Sequence, residues 1–151
     1  MTISSLFPNI TNRRVATNGL LLNIAEQTPE TANGQLIVLL HGFPESWYSW
    51  RHQFAPLAAA GYHVVAPDMR GYGDSDHPHP IESYNQVEVT NDVIGLISAL
   101  GYVNAIVIGH DWGAPTAWSS ALNHPTIVSA VGALSVPFSP CLLYTSDAAD
   151  D

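Results

Sequence analysis

An aspartate between two glycines, Asp111, is the residue of this sequence best suited to covalent chemistry. Residues 109–113 read Gly-His-Asp-Trp-Gly, with a short apolar run at 105–108 before them and apolar residues at helical spacing after them. Flanking glycines permit a sharp turn between a strand and a helix, which places the central side chain at the strand end. The following helix directs N–H groups and a partial positive charge toward it. We therefore predict a strand–turn–helix elbow with the Asp111 carboxylate at its tip.

The carboxylate indicates the reaction. A serine at such an elbow needs a base to become nucleophilic, whereas an ionised aspartate is already an anion at neutral pH. Its attack on a saturated carbon gives an alkyl ester that water must open, so the implied substrates are epoxides or alkyl halides. The alternative is that Asp111 only caps a helix, because aspartate is among the preferred N-cap residues. The five-residue motif alone leaves both interpretations open.

A second motif supplies what hydrolysis of an Asp111 ester would need. Residues 41–44 read His-Gly-Phe-Pro and follow a continuous apolar run at 36–40. Opening the ester passes through an anionic tetrahedral intermediate, which two preorganised N–H donors would stabilise. The residue after the nucleophile commonly supplies one donor, and the loop after an earlier strand supplies the other. We predict an oxyanion hole made by the backbone N–H groups of Phe43 and Trp112; the alternative for residues 43–44 is an ordinary turn.

The two motifs can form one site only if the strands that precede them end at the same edge of a sheet. Asn18-Gly19 predicts a hairpin turn between residues 14–17 and 20–25. Apolar runs predict further strands at 36–40, 62–66, 105–108 and 128–136, and helical periodicity predicts helices at 47–60, 85–100 and from 114. The alternation predicts an α/β fold in which an antiparallel N-terminal hairpin leads into a mostly parallel sheet with helices on both faces.

The remaining polar and aromatic residues are expected to have structural roles. The periodicity of the helix at 85–100 places Asp92 on its solvent face. His41 and His110 are expected to pack or to form structural hydrogen bonds, and Trp47 and Trp50 to anchor the first helix. Arg70 is expected to pair with a buried carboxylate among three candidates, which are Glu45, Asp68 and Asp74.

Composition excludes several classes of function. The 151 residues include four basic side chains against thirteen acidic ones, a net charge of −9 that argues against nucleic-acid binding. No apolar run approaches the ~20 residues of a membrane span, and the signal-peptide pattern is absent. One cysteine offers no disulfide framework, so we expect a cytoplasmic protein without a membrane partner. His77 and His79 lack a third ligand, and we predict no metal and no cofactor.

Three segments together resemble the epoxide hydrolases of the α/β-hydrolase fold. They are residues 41–51 (HGFPESWYSWR), 68–75 (DMRGYGDS) and 109–114 (GHDWGA), and the similarity covers roughly residues 12–140. The resemblance implies that Asp111 is the nucleophile and that the N–H groups of Phe43 and Trp112 form the oxyanion hole. It also implies a cis bond before Pro44, and a small apolar epoxide and water as substrates.

The same resemblance implies machinery that this sequence lacks. In the family, a helical cap carries two tyrosines that donate to the epoxide oxygen, and a late acid orients a late histidine that activates water. We therefore expect the N-terminal half of the fold, truncated before the cap domain and inactive as it stands. The alternatives are a haloalkane dehalogenase-like hydrolase with the same nucleophile, or an inert fragment. Many dehalogenases carry Asn in place of Phe43, and fluoroacetate dehalogenases usually carry Arg in place of Trp112, so both residues favour epoxides.

The last eleven residues, CLLYTSDAADD, fit none of these elements. They resemble the translation of a sequencing adapter. The sequence therefore predicts a partial α/β-hydrolase domain at residues 1–140 and a non-native tail at residues 141–151, which should make no stable contact with the sheet. No oligomeric state is predicted.

Overall fold

The computed structural model describes residues 6–139, in which six strands form one mixed sheet. In spatial order the strands are β1 (Thr11–Thr17), β2 (Leu20–Gln27), β4 (His63–Pro67), β3 (Leu36–Leu40), β5 (Ala105–His110) and β6 (Val128–Leu134). β2 pairs antiparallel with both β1 and β4, and the three remaining pairs are parallel. The predicted antiparallel hairpin leading into a mostly parallel sheet is confirmed.

The hairpin turn has the backbone conformation that its sequence predicts. Asn18 and Gly19 both have positive φ angles, 45° and 77°, as the tight two-residue turns of hairpins require. Thr17 and Leu20 are the last pair of the β1–β2 register. Local turn chemistry therefore sets this register.

Helices cover both faces of the sheet, as predicted. On one face, α2 (Gln86–Ala99) and α3 (Gly113–Asn123) pack over a core that includes Leu96 and Val107. On the other face, α1 (Phe54–Ala59) and a 3₁₀ turn at Trp47–Trp50 enclose a second core. Both tryptophans of this turn are buried, which confirms that they anchor this segment.

The predicted single helix at residues 47–60 is wrong. The chain forms the 3₁₀ turn at Trp47–Trp50, a short connection and then α1, which begins at Phe54. Pro56 explains the interruption, because proline lacks the N–H that an earlier helical turn would need and is tolerated only near a helix start.

The predicted solvent position of Asp92 on α2 is also wrong, since this residue is 3% exposed. Two other segments cover that side of the helix. Arg70 donates to the Asp92 carboxylate, and Asn18 of the hairpin turn donates to Asp92 Oδ1 at 3.0 Å. The polar face of α2 is buried at Asp92 because the side chains that pack on it, Arg70 and Asn18, are polar as well.

The contact between α2 and α3 widens the buried face of α3. Of the apolar residues that follow the elbow at helical spacing, Ala114 and Ala117 are buried as expected, whereas Leu122 is 47% exposed. Small polar residues are buried beside them, namely Thr116, Ser119 and Ser120, and Thr90 of α2 donates to Ser119 Oγ at 3.0 Å. Small side chains allow the two helices to approach closely, so the buried face extends beyond the apolar residues.

At the sheet edge, β6 ends at Leu134, two residues before the predicted end. Within residues 6–139, no helix is both long and apolar enough to cross a bilayer. The predicted boundary at residue 140 and the predictions for the tail lie outside the described residues.

Candidate active site

The turn between β5 and α3 forms the predicted elbow. Asp111 has a φ angle of +53°, a left-handed conformation that L-residues rarely adopt. A Cβ on Gly109 would lie 2.1 Å from the Gly113 carbonyl oxygen, and a Cβ on Gly113 would lie 2.3 Å from the Leu40 carbonyl oxygen. Glycine is therefore required at both flanks, because backbone atoms occupy the space of a side chain.

The Asp111 carboxylate is hydrogen-bonded to a different loop. Its Oδ1 accepts the backbone N–H of Phe43 at a donor–acceptor distance of 2.9 Å, although the two residues are 68 positions apart. Trp112 occupies the N-cap position of α3, which has no side-chain cap. N-cap residues usually have extended backbone angles, unlike the left-handed Asp111. The geometry therefore favours the nucleophile interpretation over the helix-cap alternative.

Backbone donors control the charge of this carboxylate. The N–H groups of Phe43 and Trp112 lower the pKa of Asp111 below its ordinary value of 3.8, and His110 lowers it further. Hydrogen bonds to the charged form stabilise that form. The Phe43 N–H thus donates directly to Asp111, and both N–H groups predicted as an oxyanion hole stabilise its ionised form, so Asp111 is an anion at neutral pH.

The loop after β3 is held by several hydrogen bonds. The Phe43–Pro44 peptide bond is cis, as predicted. The Gly42 N–H donates to Glu45 Oε2 at 3.1 Å, and the Glu45 N–H donates to the Gly42 carbonyl oxygen at 3.1 Å. Glu45 therefore holds the two peptides on either side of Gly42, and the second of these carries the Phe43 N–H.

Two concavities meet at Trp112, whose side chain is 66% exposed. One, of about 180 Å³, is lined by residues that include His41, Met69, Tyr72 and Tyr84. The other, of about 150 Å³, is lined largely by apolar side chains. An apolar molecule could therefore bind on either side of the Trp112 side chain.

Comparisons with known proteins agree with this geometry. The family model for the alpha/beta hydrolase fold matches residues 35–148. The chain belongs to the α/β-hydrolase fold family. The chain is 49% identical over 130 residues to Epoxide hydrolase A of Mycobacterium tuberculosis, and that alignment covers 86% of the chain and 40% of the relative.

Solved structures give the same result. Epoxide Hydrolase A from Mycobacterium thermoresistibile superposes with a TM-score of 0.83 at 49% identity, over 87% of this chain and 40% of that one. The epoxide hydrolase VrEH1 from Vigna radiata superposes with a TM-score of 0.81 at 43% identity, over 88% of this chain and 42% of that one. The predicted resemblance to epoxide hydrolases is confirmed, and the chain spans about 40% of the length of these relatives.

Arg70 pairs with a carboxylate that the sequence did not suggest. Its guanidinium contacts Asp92, with Nε 2.6 Å from Oδ2, rather than any of the three predicted candidates. The hydrogen bond to Asp92 raises the pKa of Arg70, which stays charged. The prediction failed because Arg70 and Asp92 are 22 positions apart and meet only when the loop after β4 packs on α2.

The structure gives the three candidate carboxylates different environments. Asp68 is buried, accepts Asn23 Nδ2 at 2.8 Å and the Trp47 N–H at 2.9 Å, and so joins β2 to the 3₁₀ turn. Asp74 is exposed. Glu45 is half-buried, with Oε2 3.5 Å from His110 Nδ1. Asp68 thus positions the loops around the site, a role that its place after a buried strand could have signalled.

His77 and His79 are exposed. Among residues 6–139, no three histidine, cysteine or acidic side chains converge in a way that could hold a metal ion. The site described here consists of Asp111 and backbone donors.

Replacing Gly42 by alanine should displace the Asp111 side chain. A Cβ at Gly42 would lie 2.5 Å from Asp111 Cβ and 2.8 Å from Asp111 Oδ1, which is closer than non-bonded atoms approach each other. We expect the chemical shift of the Asp111 carboxyl carbon and its pKa to change, because the bond to the Phe43 N–H must lengthen. NMR titration of the 151-residue chain measures both. Gly132→Ala is the control for adding a methyl group, because Gly132 has no left-handed backbone angle and a Cβ there would lie 3.3 Å from the nearest atom, Ile108 Cγ1. An unaltered carboxyl signal in Gly42→Ala would contradict the prediction.

His41 should make stability depend on pH. Burial lowers the pKa of His41 below its ordinary value of 6.5, so the unfolded chain binds a proton more readily than the folded one. Stability contributed by this group is therefore present above about pH 6.5 and declines as pH falls toward the folded pKa. Urea unfolding from about pH 7.5 to about pH 5.5 should show a smaller decline in His41→Gln than in the wild type. Equal slopes for both proteins would refute the assignment.

Proposed function

We propose that this hydrolase is the N-terminal part of an epoxide hydrolase in which Asp111 is the nucleophile. Its carboxylate attacks an epoxide carbon, the carbon–oxygen bond of the ring breaks, and an alkyl ester of Asp111 forms. Water then attacks the acyl carbon of the ester and releases a diol. The Phe43 and Trp112 N–H groups stabilise the negative oxygen of the tetrahedral intermediate.

One observation carries this proposal: an ionised aspartate at the elbow accepts the N–H of Phe43 at 2.9 Å. A serine hydrolase would need a hydroxyl there, whereas a carboxylate already carries the charge for attack on a saturated carbon. The names of the relatives select epoxides as the substrate class, since those reported above are called epoxide hydrolases. The apolar surroundings of Trp112 suit a small apolar epoxide.

The groups that complete the reaction belong to the same proposal. The resemblance implies a cap with two tyrosines and a histidine–acid pair, and we place these in the portion of the relatives that the chain does not span. Neither histidine near Asp111 replaces the water-activating one. Both ring nitrogens of His41 are within hydrogen-bond distance of backbone groups, and His110 Nδ1 lies 3.5 Å from Glu45. The 151-residue chain alone should therefore form no diol. A cytoplasmic location is also proposed, on the low cysteine content alone.

A fusion protein tests the reaction. The chain through residue 139 is joined to the portion of Epoxide hydrolase A of Mycobacterium tuberculosis that it does not span, and is given styrene oxide in water enriched in ¹⁸O. During the first turnover the label should enter the Asp111 carboxylate, because water attacks the acyl carbon and the diol receives an original aspartate oxygen. Peptide mass spectrometry locates the label.

The controls separate this mechanism from its competitors. The 151-residue chain alone should yield no diol, and 1-bromobutane should be hydrolysed far more slowly than styrene oxide by the fusion. Label found only in the diol after the first turnover would show direct attack by water and would exclude an ester at Asp111.

A further inference from the structure

His41 is a buried, titratable side chain to which the proposed reaction assigns no role. It is 1% exposed and lies immediately before the loop that supplies the Phe43 N–H. The Tyr72 ring packs edge-on against it, with ring centroids 5.0 Å apart. A buried imidazole needs partners for both nitrogens, and these partners determine which nitrogen carries the proton.

The partners of His41 define one tautomer. The Met69 backbone N–H points at Nε2 at 3.0 Å, and a backbone N–H can only donate. Nε2 must therefore be the unprotonated acceptor, so the proton lies on Nδ1. Nδ1 is 2.8 Å from the Gly42 carbonyl oxygen and donates to it, a shorter contact than the 3.1 Å that separates the same oxygen from the Glu45 N–H. His41 is accordingly neutral, consistent with its lowered pKa.

The Gly42 carbonyl belongs to the peptide unit whose N–H is that of Phe43. Because a peptide is planar, fixing its carbonyl oxygen also fixes the direction of its N–H. A continuous chain of hydrogen bonds follows: Met69 N–H to His41, His41 to Gly42, and Phe43 N–H to Asp111 Oδ1 at 2.9 Å. Hydrogen bonds in such a chain polarise one another, which strengthens the last donor.

We propose that His41 is a positioning residue: as the Nδ1–H tautomer it holds the Gly42–Phe43 peptide so that the Phe43 N–H points at the Asp111 carboxylate. It acts through the peptide and does not touch the substrate. This inference rests on the proposed function for its catalytic meaning, but its geometry concerns the resting protein. It is therefore testable without turnover, and its failure would leave the nucleophilic role of Asp111 untouched.

Two substitutions separate positioning from simple packing. The carboxamide nitrogen of asparagine lies near the place of Nδ1, so His41→Asn keeps a donor for the Gly42 carbonyl. The carboxamide oxygen of glutamine lies near the place of Nε2, so His41→Gln keeps an acceptor for the Met69 N–H but loses the donor to Gly42. If His41 only fills space, His41→Gln should be the milder change, because glutamine is larger than asparagine. If His41 positions the peptide, His41→Asn should be the milder change, because it keeps the donor to Gly42. His52→Gln is the matched control, because His52 is exposed and its ring packs against Phe7.

NMR of the isotopically labelled 151-residue chain provides the readout. In His41→Gln we expect the Phe43 amide proton to move upfield and the pKa of Asp111 to rise toward its ordinary value of 3.8, while His41→Asn and His52→Gln stay near the wild type. A folded His41→Gln chain with wild-type values for both signals would overturn the proposal. Should either His41 variant not fold, the ring ¹⁵N shifts of the wild type decide: an Nδ1–H tautomer supports the proposal, and an Nε2–H tautomer or an imidazolium at pH 7 refutes it.

Discussion

Replacing Asp111 by asparagine in the fusion protein should lower kcat for styrene oxide by roughly 10⁴- to 10⁶-fold, the loss typical of removing a covalent nucleophile. The carboxamide has nearly the shape of the carboxylate and its oxygen still accepts the Phe43 N–H, so the elbow should persist. It lacks the anionic oxygen that attacks the epoxide carbon. Initial rates of diol formation measure the effect.

Asp74→Asn is the matched control for this substitution. Asp74 is an exposed carboxylate on the loop after β4, and its backbone N–H lies 3.3 Å from Asp68 Oδ2. Asp74→Asn removes the same charge without touching Asp111, and kcat should change less than about threefold, as for ordinary surface substitutions. If Asp111→Asn sustains multiple turnovers near the rate of this control, Asp111 is not the nucleophile.

Replacing Arg70 by methionine should destabilise the protein by about 3–5 kcal/mol, because it leaves the buried Asp92 carboxylate without its counter-charge. The two side chains are 3% and 4% exposed, and two hydrogen bonds of 2.6 and 2.5 Å join them. Arg70 also donates to the Ser83 carbonyl oxygen, so the loop after β4 loses its attachment to the segment before α2. Urea unfolding followed by tryptophan fluorescence measures the change.

Two further variants show whether burial causes this loss. Arg13→Met removes an exposed arginine that pairs with Glu26, and such surface pairs contribute about 0–1 kcal/mol. Arg70→Met with Asp92→Leu removes both buried charges, and replacing such a pair by apolar residues is often nearly neutral, so the double variant should recover most of the stability. A loss below about 1 kcal/mol in Arg70→Met would mean that water reaches Asp92 and screens its charge.

The sequence by itself determined the parts of the fold that depend on local chemistry. Asn18-Gly19 specifies its turn because both residues tolerate positive φ angles. The glycines at 109 and 113 predict the elbow because they permit a sharp turn between a strand and a helix. Continuous apolar runs specify strands covered on both faces, such as β3, whose five residues are all buried. Each of these is a property of a few neighbouring residues.

Only the tertiary structure decided which distant groups meet. Parallel pairing of β3 with β5, with Leu40 opposite Gly109, places the ends of both strands together and brings the Phe43 N–H to Asp111 across 68 positions. The Arg70–Asp92 pair arises in the same way, and the polar face of α2 gave no sign that it would be buried. Sequence periodicity separates polar from apolar faces, but a polar face is buried when charged partners from another segment satisfy it, and this complementarity exists only after the segments pack.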